Sequence, residues 1–261
     1  MTSTDPDVVK ACCAAGYQSD LVALILGDSY HPGGPALTRR LADALGVTAG
    51  QRVLDVASGP GSTALLLAQE YGATVEGVDL GSDAVEAANR RAQEAATPQV
   101  SFRVGDAERL PVADASVDVV ISECALCTFP DKVTALGEMA RVLRPGGRVG
   151  ITDVTMDPGR LDPELTDLAG WIACLADARP LDGYRELMTA AGLSVTVTEP
   201  HDAALARMID LIDARITVLA MAGTPALADI DLKAVRRRVR AAKAAVADGV
   251  AGYVLVVAVK A

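Results

Sequence analysis

Between residues 51 and 153, apolar positions fall in short continuous runs separated by stretches with helical spacing. The runs Arg52–Ala57, Ala73–Asp79, Val100–Gly105, Val117–Ser122 and Arg148–Asp153 have the length of buried strands, and Thr63–Tyr71 and Ser82–Ala95 between them repeat apolar residues with a helical period. Regular strand–helix alternation needs right-handed crossovers, so the pattern predicts an α/β fold: a mostly parallel sheet with helices on both faces. Upstream, residues 5–46 read as two or three short helices broken by the loop at 27–34. Downstream, the pattern predicts helices at about 162–177 and 181–191, a strand at Leu193–Glu199, helices at about 202–222 and 231–247, and a last strand at Tyr253–Lys260. The organisation expected is an N-terminal helical cap over 1–48 and an α/β domain over 49–261, with helical insertions at 155–191 and 201–249.

Charge narrows the partners. A net charge of -10 argues against a nucleic-acid or anionic-membrane binder, because phosphate contacts need a basic face. The basic cluster Lys233, Arg236, Arg237, Arg238, Arg240 and Lys243 does not alter this. Its apolar companions Leu232, Val235, Val239, Ala242 and Val246 make it the solvated face of an amphipathic helix. No run approaches the about 18 apolar residues of a membrane span, and Asp5 and Asp7 stand where an export signal would be basic. A cytoplasmic protein is expected, and its 5 cysteines are expected to be free thiols.

The chemistry centres on Val53-Leu54-Asp55-Val56-Ala57-Ser58-Gly59-Pro60-Gly61-Ser62, a strand entering a glycine turn that opens a helix. Such turns let a ligand approach the backbone closely. Asp55, within the strand, would repel a pyrophosphate and attract a ligand ammonium. S-adenosylmethionine carries an ammonium and a sulfonium and no phosphate. The second strand ends in Asp79, placed to accept hydrogens from two vicinal ribose hydroxyls, and the third in Asp106, placed for an adenine amino group. One such acid is commonly a solvated turn residue; three in succession at strand carboxyl ends describe a site.

These segments, with Gly105-Asp106-Ala107-Glu108-Arg109-Leu110-Pro111 and Glu138-Met139-Ala140-Arg141-Val142-Leu143-Arg144-Pro145-Gly146-Gly147-Arg148, resemble the class I S-adenosylmethionine-dependent methyltransferases over roughly 50–200. The resemblance implies a Rossmann-like sheet of seven strands whose last, Tyr253–Lys260, is antiparallel. It implies S-adenosylmethionine as methyl donor and S-adenosylhomocysteine as product. Asp55, Ala57, Ser58, Gly59 and Gly61 would hold the methionine end, Asp79 and Leu80 the ribose, Asp106, Ala107 and Glu108 the adenine, with Glu123 completing the donor site.

The acceptor must be read from elsewhere. Cys12, Cys13, Cys124 and Cys174, with Ser122-Glu123-Cys124 after the fourth strand, resemble in order the thiols of the arsenite methyltransferases. That likeness implies a trivalent metalloid held by Cys124, Cys174 and Cys12 or Cys13, since soft thiolates suit a soft centre, with a thiol reductant as a further partner. Free cysteine is also a common core filler. The segment Leu26-Gly27-Asp28-Ser29-Tyr30-His31-Pro32 lacks the further cysteine of that family, which keeps selenium, antimony, a small thiol or an organic acceptor open. For an organic acceptor, His31 or Glu123 would assist proton removal. A donor-binding protein without turnover is the remaining alternative. Cys124 and Cys127 form a Cys-x-x-Cys spacing, but no second such pair or paired histidine spacing accompanies them, against structural zinc. Tyr17 and Tyr30 are candidates to cover the donor, His31 also reads as a loop hydrogen-bonding residue, and Trp171 reads as core beside Leu168 and Leu175.

Overall fold

The computed structural model describes Lys10 and residues 20–27, 30–165, 177–227 and 230–261. Seven strands form one sheet: β1 (Arg52–Val56), β2 (Thr74–Asp79), β3 (Val100–Val104), β4 (Val117–Glu123), β5 (Leu143–Met156), β6 (Leu193–Pro200) and β7 (Ala251–Lys260). Their order is β3-β2-β1-β4-β5-β7-β6. The pairs among β1 to β5 are parallel, and β7 runs antiparallel to both β5 and β6. The mostly parallel sheet is therefore as the sequence pattern predicts, and the antiparallel last strand is as the family resemblance implies.

The helices are α1 (Asp20–Leu26), α2 (Gly34–Leu45), α3 (Ser62–Tyr71), α4 (Ser82–Glu94), α5 (Lys132–Val142), α6 (Leu181–Ala190), α7 (Asp202–Met221) and α8 (Leu232–Ala247). Both sheet faces are covered, which is why the central strands are apolar without alternation. Val53, Val119 and Ile121 face one core layer with Leu41, Leu45 and Leu67; Leu54, Val56 and Val120 face the other with Leu136 and Met139. Leu41 and Leu45 bring α2 so close to β5 that a Cβ on Gly150 would meet their methyl carbons at 2.8 and 2.7 Å. In α8, Val239, Ala242 and Val246 pack on the first layer. Its Lys243 pairs with Asp210 and Asp213 and its Arg237 with Glu164, as a solvated face requires.

Two sequence expectations change. The fifth strand starts at Leu143 rather than Arg148: Pro145 disfavours helix for the residue before it, Leu143 turns extended (φ -67, ψ 138), and pairing with β4 resumes across an irregularity between Val117 and Val119. The helix expected at 162–177 is not formed at either described end. Pro163–Leu165 is a single 3₁₀ turn capped by Asp162, which accepts from the Glu164 amide, and Arg179 forms a β-bridge with Thr155. Residues 166–176, including Trp171 and Cys174, lie outside the described residues, as do Cys12, Cys13 and Tyr17.

Candidate active site

Strand order reverses between β1 and β4, and helices leave their carboxyl ends toward opposite faces, opening the crevice where α/β sheets bind ligands. A cavity of about 340 Å³ lies there. The glycine turn forms its floor: Ala57, Gly59 and Gly61 all take left-handed backbone conformations (φ 61, 50 and 80). At Gly61 a Cβ would lie 2.5 Å from the Phe102 ring, whereas at Gly59 it would meet nothing within 4 Å. Gly61 thus serves close packing beneath the turn and does not line the cavity; Gly59 lines it and leaves room for a ligand.

Asp79 stitches this turn to β2. Its Oδ2 accepts from the Gly59 amide (2.8 Å) and Oδ1 from the Gly81 amide (2.9 Å). Burial nevertheless raises its pKa, outweighing those backbone donors. Asp55, 2% exposed, is pushed well above the ordinary carboxylate range, chiefly by burial, then by Glu123 and Asp79. Its carboxylate accepts from the Ala64 amide, while Oδ2 has no hydrogen-bond partner. Asp106 differs. Burial opposes its charge, but Lys10 (2.8 Å to Oδ2) and the Glu108 amide (2.8 Å to Oδ1) hold it below its usual pKa. Lys10 also pairs with Glu108. Ala57, Ser58, Leu80, Ala107 and Glu108 line the same cavity.

At the opposite end, Glu123 terminates β4 with its side chain 5% exposed. Its Oε2 accepts from Thr63 (2.6 Å) in the first turn of α3 and Thr38 (3.0 Å) on α2, and lies 3.6 Å from His31 Nε2. Oε1 is 3.5 Å from Thr152 Oγ1, which in turn contacts the buried Tyr253 hydroxyl at 3.0 Å. Cys124 follows in a left-handed conformation (φ 54), lines the cavity and donates its amide to the Thr152 carbonyl. Cys127 does not line it: it is 1% exposed, part of the core, and its amide donates to Asp153 Oδ2. Lys132 closes that turn by donating to the Cys127 and Phe129 carbonyls and pairing with Asp177.

Every described candidate from the sequence except Gly61 therefore meets in one cavity. Sequence reasoning missed Lys10, Thr38 and Thr63. Thr63 could have been found from its place just after the glycine turn; Lys10 and Thr38 carry no local signal, because only folding of the N-terminal segment over the sheet brings them in. Asp55, Asp79, Asp83, Asp106, Glu108 and Glu123 set six carboxyl groups around the cavity against the ammonium of Lys10. The cavity suits a ligand bearing positive charge and disfavours a phosphate. Among the described residues no three His, Cys, Asp or Glu side chains are grouped to hold a metal ion.

Comparisons with known proteins agree with this geometry. The chain is 37% identical over 155 residues to an arsenite methyltransferase of Halobacterium salinarum (59% of this chain, 40% of that protein). It is 33% identical over 166 residues to an O-methyltransferase of Pyrenophora dematioidea (61% of this chain, 60% of that protein). It thus spans about half the length of these curated relatives. Among solved structures, phosphoethanolamine N-methyltransferase 2 of Haemonchus contortus in complex with S-adenosyl-L-methionine shares the fold, with a TM-score of 0.75 at 23% identity over 95% of this chain and 56% of that one. Residues 47–179, half of the chain, match the family described as "Methyltransferase domain". The chain belongs to the methyltransferase domain family.

Proposed function

We propose that the protein transfers a methyl group from S-adenosylmethionine to a hydroxyl of a small organic acceptor, with His31 and Glu123 receiving the proton. The residues present fit the donor: the partnerless Asp55 Oδ2 and the open space over Gly59 suit its ammonium-bearing end, and the ring of carboxyl groups suits its positive charge. Asp55, Ala57, Ser58 and Gly59 would hold the methionine end, Gly61 would set the turn, Asp79 and Leu80 would hold the ribose, and Asp106, Ala107 and Glu108 the adenine. When bound, the donor supplies an electrophilic methyl on a positively charged sulfur. The cavity walls would hold the acceptor oxygen against that methyl, and orientation would be the main source of rate.

The observation that carries the acceptor reading is the His31–Glu123 approach of 3.6 Å in the cavity that both residues line. The N-terminal cap over 1–48 would bring this histidine to the domain. A second reading, transfer to thiolate-bound arsenite, is favoured by Cys124, whose side chain lines the same cavity. It would require Cys174 and Cys12 or Cys13 as the other ligands, with a thiol reductant. Incubation with methyl-labelled donor and either a panel of phenols and alcohols or arsenite with glutathione separates them. Turnover on the hydroxyl panel that falls at least tenfold in His31→Gln supports the first reading; turnover on arsenite alone replaces it with the second. Protection against heat by S-adenosylhomocysteine without any turnover would leave a donor-binding protein.

No helix among the described residues is long and apolar enough to cross a membrane.

A further inference from the structure

Lys132 is a buried cation in an unfavourable place: it opens α5, where the helix dipole disfavours positive charge, and it is 4% exposed. Its ammonium carries three hydrogens and meets the Cys127 carbonyl at 3.1 Å, the Phe129 carbonyl at 2.9 Å and the Asp177 carboxylate. We propose that Lys132 is a positioning residue for the methyl donor: it stands in for the amide hydrogen that Pro130 lacks and so fixes Thr128, Phe129 and Pro130 as the wall beside the donor's adenosine. This rests on the placement of adenosine at Asp106, Ala107 and Glu108 above.

The shape of the turn explains why a side chain is required there. Leu126–Thr128 is a 3₁₀ turn in which the Thr128 amide donates to the Ala125 carbonyl (2.9 Å) and the Phe129 amide to the Leu126 carbonyl (3.2 Å). The next link of that ladder would run from residue 130 to the Cys127 carbonyl. Pro130 has no amide hydrogen, and it turns the residue before it out of helical geometry: Phe129 is extended (φ -73, ψ 124). The ladder therefore stops one link short. Lys132 Nζ donates to the carbonyls of Cys127 and Phe129 together, and so braces the chain across the proline. The three residues it braces, Thr128, Phe129 and Pro130, all line the cavity.

This wall is held from two sides. Behind it, Asp177 also pairs with Arg179 (3.1 Å), whose carbonyl accepts from the Met156 amide (3.1 Å) at the end of β5, so Lys132 ties the turn to the sheet. In front, the Asp131 amide donates to Glu108 Oε1 (2.9 Å), and Phe129 packs on the same core layer as Ala107. The wall thus borders the end of the cavity assigned to adenosine. Leu126 and Cys127, buried in opposite core layers, anchor the start of the turn, and Lys132 fixes the part that faces the cavity.

The test is calorimetric titration of the whole chain with S-adenosylhomocysteine and with adenosine, well below the melting temperature of each variant. Lys132→Met should weaken both by about tenfold, and Lys132→Arg, which keeps a cationic donor, should recover most of that loss. Leu193→Ala, a core substitution outside the cavity, is the control for destabilisation: its melting temperature should fall while both affinities stay at the wild-type value. Wild-type affinities in folded Lys132→Met, or an equal loss in Leu193→Ala, would overturn the proposal. If Lys132→Met does not fold, Asp177→Ala, at a partly exposed position, replaces it: both affinities should fall about threefold, and unchanged values would overturn the proposal. Loss of S-adenosylhomocysteine affinity with adenosine affinity unchanged would overturn the adenosine placement while upholding Lys132 as the residue that sets the wall.

Discussion

Lys10 reaches Asp106 at 2.8 Å, so the carboxylate that sequence reasoning assigns to the adenine amine already holds a cation from the N-terminal segment. Both Asp106 oxygens are engaged, Oδ2 by Lys10 and Oδ1 by the Glu108 amide. An adenine amine at Oδ2 must share or displace the ammonium. Lys10→Met should therefore tighten adenosine binding, by about 1 kcal/mol for a partly exposed pair. Calorimetric titration with adenosine measures this; weaker binding would make Lys10 part of the adenine site rather than its competitor.

Asp79 has two tasks, and its substitutions should reveal both. Asp79→Ala removes the proposed ribose acceptor and the anchor of the Gly59 and Gly81 amides, so S-adenosylhomocysteine affinity should fall by roughly 1.5–3 kcal/mol and the melting temperature should fall as well. Asp79→Asn, which can keep one amide contact, should recover more stability than affinity. NAD, with its pyrophosphate, should give the wild type no thermal protection.

Burial of Asp55 makes ligand-free stability depend on pH in a defined direction. Its folded pKa lies well above 3.8, so between 3.8 and that raised value the folded state binds more protons than the unfolded state. Stability from this group is therefore lost as pH rises through that window. Asp55→Asn can keep an acceptor for the Ala64 amide without the buried charge. Its melting temperature relative to wild type should climb with pH across the window and level off below 3.8, while S-adenosylhomocysteine binding weakens where the wild-type carboxyl is ionised. A difference that does not change with pH would show that Asp55 is not the group responsible.

The two neighbouring thiols should behave differently. Cys124→Ser changes a side chain lining the cavity, and under the metalloid reading it abolishes arsenite turnover with donor affinity retained. Cys127→Ser places a hydroxyl in the core and should act on stability, lowering it by about 1–3 kcal/mol. Loss of stability in Cys124→Ser and loss of turnover in Cys127→Ser would reverse these assignments.

What the sequence disclosed depended on range. Asp55, Asp79 and Asp106 are legible because each lies in a strand or just past the end of one whose apolar run is visible, and the strand order of an α/β sheet brings such ends together. Arg148 as the start of β5 was wrong because Pro145 ends helix-compatible geometry sooner than the apolar pattern indicates. Thr38 and Lys10 were invisible because their partners, Glu123 and Asp106, are distant in the chain and meet them only through tertiary packing. Cys12, Cys13 and Cys174, the thiols that the resemblance implies as metalloid ligands, lie outside the described residues.

Helix α2 carries Thr38 into the cavity and Leu41 and Leu45 into the depression above Gly150. The same short helix is thus both a wall of the cavity and a wedge in the hydrophobic core. A side chain at Gly150 would push on leucines rather than on any polar group, yet the wedge would tilt and carry the Thr38 hydroxyl with it. Gly150→Val should therefore cost about 1–3 kcal/mol of stability and also weaken the proposed methyl transfer, although Gly150 does not line the cavity. The helix is held to its register by the core, so the cavity wall it forms is fixed by residues that never face the cavity.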